Sequence, residues 1–128
     1  MRGFFKVLGV IAIGLLLANC RPAPIYNVQS SELGVRSGAT TDQVATAIKR
    51  AAAGLNWTIR DQQPGLMIAT INVRTHSATV EIRYDTRTFS IAYRDSANLN
   101  YTGSQIHQNY SNWVQNLERA IRREALAI

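Results

Sequence analysis

The sequence predicts an α+β fold, a two-layer sandwich in which two helices cover one face of a four-stranded antiparallel meander in the order α-β-β-β-β-α. Two amphipathic segments with an apolar period near 3.6 flank a middle region where the period changes to 2. Short turns separate the alternating segments, and such turns join antiparallel strands. The apolar face of the sheet needs a cover, which two amphipathic helices supply.

The first helix is predicted to begin after Thr40. The Thr40 side chain can cap the helix and Gln43 can reach back to it, which makes a capping box. Gly54 then offers a left-handed stop at the C-terminal end. Four apolar residues recur at helical spacing in between: Val44, Ala47, Ile48 and Ala51.

Four strands are predicted between the helices, with turns at Pro64-Gly65 and Asp85–Arg87. The second strand is apolar on both faces at its start, which indicates either a buried central position or a partner on the other side of the sheet. The alternating segments are 55–60, 66–74, 77–84 and 89–94.

The second helix is predicted from a further capping box at Thr102 and Gln105, with Tyr101 and Ile106 as a hydrophobic staple across it. Basic residues near its end complement the helix dipole. Its apolar stripe comprises Ile106, Tyr110, Trp113, Leu117 and Ile121.

Strand alternation predicts a polar face turned away from the helices. If Trp57, Val80 and Ile91 point at the helices, the residues between them point outward. That face admits two interpretations, which are a solvated surface with cross-strand pairing through Glu81 and a docking surface for an anionic partner. Its predicted residues are Thr58, Arg60, Thr79, Glu81, Arg83, Ser90 and Arg94.

The N-terminus has the organisation of a signal peptide over residues 1–19, with Arg2 and Lys6 preceding an apolar core of about 12 residues. This core is too short to cross a bilayer, which takes roughly 20 residues. The run 17–20, Leu-Ala-Asn-Cys, resembles a bacterial lipobox, although Asn19 departs from the usual small residue. Cys20 is therefore the predicted lipid attachment site. The alternative is an ordinary secretory signal that leaves Cys20 as a free thiol.

The position after the cysteine bears on localisation, because an aspartate there commonly retains lipoproteins at the inner membrane. Arg21 occupies it here, so the resemblance implies a periplasm-facing anchor in the outer membrane rather than the inner one. Residues 20–38 are interpreted as the lipidated cysteine and a flexible tether, and 39–128 as a single globular periplasmic domain. Residues 25–29 could instead form a short edge strand.

The chain is basic, with 14 Lys and Arg against 8 Asp and Glu. Without Arg2 and Lys6 the mature chain keeps 12 cations, and 11 of these are arginine. Export excludes nucleic acid as a partner. The forked guanidinium suits carboxylates and phosphates, so the expected partners are the membrane through the N-terminal lipid, and an anionic envelope component or acidic protein.

The sequence contains no nucleophile elbow, zinc-protease motif or phosphate loop, so no catalytic residue, metal or cofactor is predicted. The two histidines, His76 and His107, are each expected to bond to backbone or water. Asp95 and His107 are the only acid-base candidates that we expect near one another. A non-catalytic role is therefore the favoured interpretation, and an enzyme is the alternative.

The densest polar stretch, 93–113, is rich in Asn, Ser and Tyr. Such residues favour turns by bonding nearby backbone groups, and they also suit a recognition loop for carbohydrate or peptide. The patterns Tyr-x-Asp-Ser-x-Asn-Leu-x-Tyr from Tyr93 and Ile-His-x-Asn-Tyr-x-x-Trp from Ile106 resemble small outer-membrane lipoproteins of Gram-negative bacteria with no assigned activity. That resemblance covers roughly 40–122 and implies an anchor and a single domain, with no catalytic residue.

The predicted function is a lipid-anchored, non-catalytic binding or scaffold module of the bacterial cell envelope. The alternative is an envelope enzyme acting on glycan or lipid through Asp95 and His107. The candidate binding surface comprises Arg60, Arg83, Arg94, Asp95, Asn98, Tyr101 and His107.

Overall fold

The computed structural model describes residues 21–128, so the predicted signal peptide and Cys20 lie outside the described residues. The chain forms seven strands and two helices. In order they are β1 (Pro22–Pro24), β2 (Val28–Glu32), α1 (Thr41–Ala53), β3 (Trp57–Gln63), β4 (Leu66–Val73), β5 (His76–Tyr84), β6 (Thr88–Ala97), β7 (Gln105–His107) and α2 (Gln108–Ala125).

The main sheet is antiparallel and has five strands in the order β2-β6-β5-β4-β3, and β1 pairs with β7 in a separate two-stranded sheet. The α+β class is confirmed, whereas the predicted count of four strands is too low because β2 adds an edge strand. One buried cluster joins α1, α2 and one face of the sheet. Both helices therefore help to cover that face, as the amphipathic pattern predicts. Within residues 21–128, neither helix combines the length and hydropathy that a membrane crossing requires.

The start of α1 follows the predicted capping box. The Gln43 backbone N–H donates to Thr40 Oγ1, and the Thr40 N–H donates to Gln43 Oε1. The predicted left-handed stop is wrong, since Gly54 has a right-handed φ of −68°. Asn56 instead adopts the left-handed conformation, at φ 67°. Asparagine tolerates that region because its short polar side chain bonds locally.

Three turns connect the strands β3, β4, β5 and β6. The first and the third lie where the sequence predicts them. Gly65 has a φ of +83° in the first turn. In the third, the Asp85 carboxylate accepts hydrogen bonds from the Thr88 and Arg87 backbone N–H groups, at 2.8 Å each. These two bonds favour the ionised form and lower the pKa of Asp85. These two turns depend only on residues close together in the chain, which explains why they could be predicted from the sequence.

The predicted start of α2 is wrong, because the helix begins at Gln108. Thr102 Oγ1 does accept from the Gln105 N–H, at 3.1 Å, but this bond closes a turn. Ile106 then pairs with Ala23 in the small sheet, which commits the backbone to a strand. His107 is the N-cap residue, and its Nδ1 accepts from the Asn109 N–H at 3.1 Å.

The segment interpreted as a flexible tether is largely built into the fold. β1 pairs with β7, and β2 pairs with β6 at the edge of the main sheet. Val28 and Leu33 are buried in the core, with 5% and 2% of their surface exposed. The tether interpretation missed them because β2 is irregular between Val28 and Ser31, which removes the alternation that marks a strand.

Candidate functional site

The predicted arginine face exists on the side of the sheet opposite the helices. Arg60 lies opposite Ile68, and Ile68 lies opposite Glu81 on the next strand. Glu81 is paired twice, since Oε1 accepts from Arg83 and Oε2 from Arg94, both at 3.2 Å. The cross-strand pairing expected for a solvated face is therefore present. One carboxylate between two guanidiniums leaves the face cationic.

The apolar start of β4 is explained by this face. Leu66 and Ile68 are buried although they lie outside the core cluster. Ile68 is 4% exposed and is flanked on the neighbouring strands by the long side chains of Arg60 and Glu81. β4 is not the central strand of the sheet, because it lies next to the edge strand β3. The arginine face therefore presents polar groups above covered aliphatic residues.

Three tyrosines form a contact cluster around Tyr93. The ring of Tyr101 stacks on Tyr93 with 4.2 Å between centroids and 19° between planes, and Tyr110 meets it edge-on at 5.7 Å. The Tyr93 hydroxyl lies 2.8 Å from Ser96 Oγ. Tyr110 is fully buried, its hydroxyl has no hydrogen-bond partner among the described residues, and burial raises its pKa far above the usual range. Burial also raises the pKa of Tyr93.

Beside this cluster lies an open depression of about 400 Å³, called here the tyrosine depression. Two long-range hydrogen bonds hold its walls together: Asn27 Oδ1 accepts from the Tyr93 N–H at 3.2 Å, and Ser104 O accepts from the Ile25 N–H at 3.4 Å. It is lined by Pro24, Ile25, Asn27, Ala92, Tyr93, Tyr101, Gly103 and Ser104.

The open sheet edge continues this site. Pairing between β2 and β6 ends at Val28 and Ile91. The rest of β6, from Tyr93 to Ala97, has no strand partner on that side among residues 21–128. Sequence reasoning named Tyr101 but missed Pro24, Ile25 and Asn27, because it assigned them to a tether. The expectation of a short strand near residues 25–29 was the one signal that could have drawn attention to them.

One predicted site residue, Asn98, proves to hold the backbone together with His76. Asn98 has a left-handed φ of 60°, and its amide Nδ2 donates to Thr75 Oγ1 at 2.8 Å. His76 Nδ1 lies 2.6 Å from the Asn98 carbonyl oxygen, which gives it the backbone partner expected for it. Asn98 therefore joins the loop after β6 to the turn between β4 and β5.

The acid-base pair of the enzyme alternative is not joined by any contact. Asp95 lies on β6 opposite Thr79, whereas His107 caps α2. The tyrosine depression is lined by neither residue. Across the part of the chain that the structure describes, no group of three or more His, Cys, Asp or Glu side chains could hold a metal ion.

Comparisons of the chain with protein-family models, with curated proteins and with solved structures gave no match.

Proposed function

We propose that this protein is a lipid-anchored, non-catalytic binding module of the bacterial cell envelope, and that the tyrosine depression is its contact site. The observation that carries this proposal is Tyr101, which is 45% exposed yet held against Tyr93 by a 4.2 Å ring stack. A preorganised aromatic face loses little conformational entropy when a ligand covers it. Exposed tyrosines of this kind are common anchors of binding sites.

The chemistry of the depression suits a ligand with flat apolar faces and polar edges. Tyr101 and Tyr93 offer aromatic surface, and Pro24 and Ile25 offer aliphatic surface beside it. Ser104 and Asn27 add hydroxyl and amide groups at the rim. A sugar ring or an extended peptide combines these properties, which supports the recognition-loop interpretation of the sequence. A peptide could also pair with the open edge of β6.

A second candidate surface is the arginine face, which would take the anionic envelope component or acidic partner expected from composition. Its support is the arrangement in which Arg83 and Arg94 share Glu81. Arg60, which donates to Gln62 at 2.8 Å, adds a third guanidinium to this face. This surface ranks second to the tyrosine depression, because its paired guanidiniums must give up existing partners before they bind a ligand.

Replacement of Tyr101 by alanine is expected to reduce partner capture at the depression about five- to tenfold, because truncating an anchor tyrosine costs upward of roughly 1 kcal/mol of binding free energy. The measurement uses a photoreactive amino acid in cells at Ser104, an exposed position that lines the depression, with Tyr101 intact or changed to alanine. Tyr101→Phe is the matched control, since it keeps the stacking face and should keep capture.

The same photoreactive residue at Arg87 and at Arg83 locates the contact. We expect adducts from Ser104 and none from Arg87, which lies in the turn after β5. Adducts confined to Arg83 would transfer the site to the arginine face. Equal capture by the Tyr101→Ala variant, with its cooperative melting preserved, would reject the tyrosine depression.

The lipid anchor makes its own prediction. Cys20→Ser is expected to abolish incorporation of labelled palmitate and to leave an unprocessed or mislocalised precursor, because the thiol that carries the diacylglyceryl group is gone. Fatty-acid labelling followed by separation of inner and outer membranes measures both effects. In the parent chain the label should follow the outer membrane, given Arg21 after the cysteine. Equal labelling of parent and variant would refute the anchor.

A further inference from the structure

The chain after Cys20 is bound to the folded domain from the first described residue. The Arg21 carbonyl oxygen accepts a hydrogen bond from the Gln108 N–H at 3.0 Å, at the start of α2. Pro22 then lies opposite His107 in the small antiparallel sheet, and Pro24 lies opposite Gln105. Consecutive Cα atoms are about 3.8 Å apart, so a lipid on Cys20 would begin within one residue of the start of α2.

From this connection we infer that the domain stands end-on against the bilayer that holds its lipid, with the start of α2 facing the membrane. The inference rests on the proposed lipid anchor at Cys20. We call this part of the molecule the anchor end. It contains Arg21, the turn 74–75, the loop 98–104 and the start of α2. His107 donates its backbone N–H to the Leu99 carbonyl oxygen at 2.9 Å, which attaches the loop to α2.

A second set of contacts holds the N-terminal segment against α2, so this segment is not a free tether. The Tyr26 hydroxyl donates to Glu118 on α2, and Arg122 donates to both Ser31 and Glu118. The bond to Glu118 is the main reason that the pKa of Tyr26 is raised. With Val28 buried in the core as well, the segment is held at several points along its length.

The distribution of charge favours the anchor end as the side that meets lipid headgroups. Arg21 and Arg74 are exposed there, and Asp95 on β6 is the nearest carboxylate in sequence to its loop. The opposite end contains the turn 85–87, the start of α1 and the end of α2. Its carboxylates, which include Glu32, Asp42, Asp85 and Glu124, are interspersed with exposed arginines, which include Arg36, Arg87 and Arg123. The far end is therefore of mixed sign, whereas the anchor end exposes two guanidiniums, which an anionic bilayer attracts.

Aromatic side chains strengthen the same orientation. Tyr101 exposes part of its ring in the loop of the anchor end, and Trp113 is half-buried in the second turn of α2. Tyrosine and tryptophan favour the headgroup level of membranes, because their rings are apolar and their tips are polar. The tyrosine depression also begins at Pro24, about 10 Å of extended chain from Arg21. A partner bound there would be met close to the membrane surface.

The test uses two positions on α2. Asn109 and Arg123 are both exposed and fourteen residues apart, which is about 21 Å along the helix. The mature chain is purified from membranes of a lipidating bacterial host with Asn109→Cys or Arg123→Cys. The introduced cysteine is then the only free thiol, since Cys20 is the sole natural cysteine and carries the lipid. It is labelled with an environment-sensitive fluorophore, and the protein is placed in phosphatidylethanolamine–phosphatidylglycerol vesicles that contain a nitroxide headgroup lipid.

We expect several-fold stronger nitroxide quenching at position 109 than at position 123. A control chain has ten Gly and Ser residues inserted between Arg21 and Pro22, which adds a flexible reach of about 17 Å. Quenching at position 109 should fall toward that at position 123 in this control. Vesicle-bound protein that shows equal quenching at both positions, or no response to the insertion, overturns the end-on orientation and leaves the anchor standing. Failure of the parent chain to float with vesicles overturns the anchor and the orientation together.

Discussion

A fragment that begins at Gly38 is expected to be largely unfolded at 25 °C, whereas residues 21–128 without lipid should melt cooperatively. The shorter fragment loses β1, the edge strand β2 and the buried side chains of Val28 and Leu33. Burial of these two side chains contributes about 3 to 6 kcal/mol. Small domains are stable by about 5 to 15 kcal/mol in total, so this loss, added to the lost pairing of β1 and β2, consumes the margin of a domain at the lower end of that range. The tether interpretation predicts the opposite result, since a tether contributes nothing to stability.

Circular dichroism during urea unfolding of both fragments measures this difference. Leu33→Ala in the longer fragment provides a milder version, with an expected cost of about 2 to 5 kcal/mol. Gln29→Ala is the matched control, because Gln29 is exposed on the same segment and should change stability by less than about 0.5 kcal/mol. Cooperative melting of the Gly38 fragment near the temperature of its parent would show that β2 is dispensable.

Trp57→Ala is expected to destabilise the domain by about 3 to 5 kcal/mol, the typical cost of removing a buried tryptophan. Trp57 is 4% exposed, lies in the core cluster and is paired with Ile71 across β3 and β4. The sequence pattern places Trp113 equally in the core, but that residue is only half-buried at the edge of the cluster. Trp113→Ala should therefore cost distinctly less than Trp57→Ala.

The two tryptophan variants are compared by equilibrium urea unfolding of residues 21–128, with the midpoint and slope fitted for each. Tryptophan fluorescence supplies a second reading, because each variant retains one reporter. The residue left in Trp113→Ala should emit as a shielded indole, and the residue left in Trp57→Ala should be more accessible to a soluble quencher. Equal losses of stability would mean that the second turn of α2 is more deeply packed than its exposure indicates.

These outcomes bear on the proposed lipid anchor. A segment that contributes several kcal/mol to the fold cannot also serve as a free linker, so a lipid on Cys20 would couple membrane attachment to the stability of the domain. Tyr26 shows the coupling, since its hydroxyl joins this segment to Glu118 on α2. Substitutions of the buried residues Val28 and Leu33 are consequently expected to alter folding and membrane orientation together.

The sequence by itself determined the local features of the structure, such as helix caps and turns. The capping box of Thr40 and Gln43, the Pro64-Gly65 turn and the bonds that Asp85 makes in its own turn each involve residues within a few positions of one another. The alternation in β5 likewise placed Val80 toward the helices and Glu81 on the arginine face. Such features depend on neighbouring residues alone, which is why they could be predicted without knowledge of the fold.

The tertiary structure decided what depends on distant partners. Thr102 and Gln105 are compatible with a helix cap or a turn, and only the pairing of Ile106 with Ala23 selects the strand. The tyrosine depression likewise needs Asn27 to reach Tyr93, 66 residues along the chain. Tyr101 could be named from the sequence as part of a recognition loop, but the residues that face it could not. Those residues lie near Tyr101 only because the fold brings together segments that are far apart in the sequence. No local pattern encodes that.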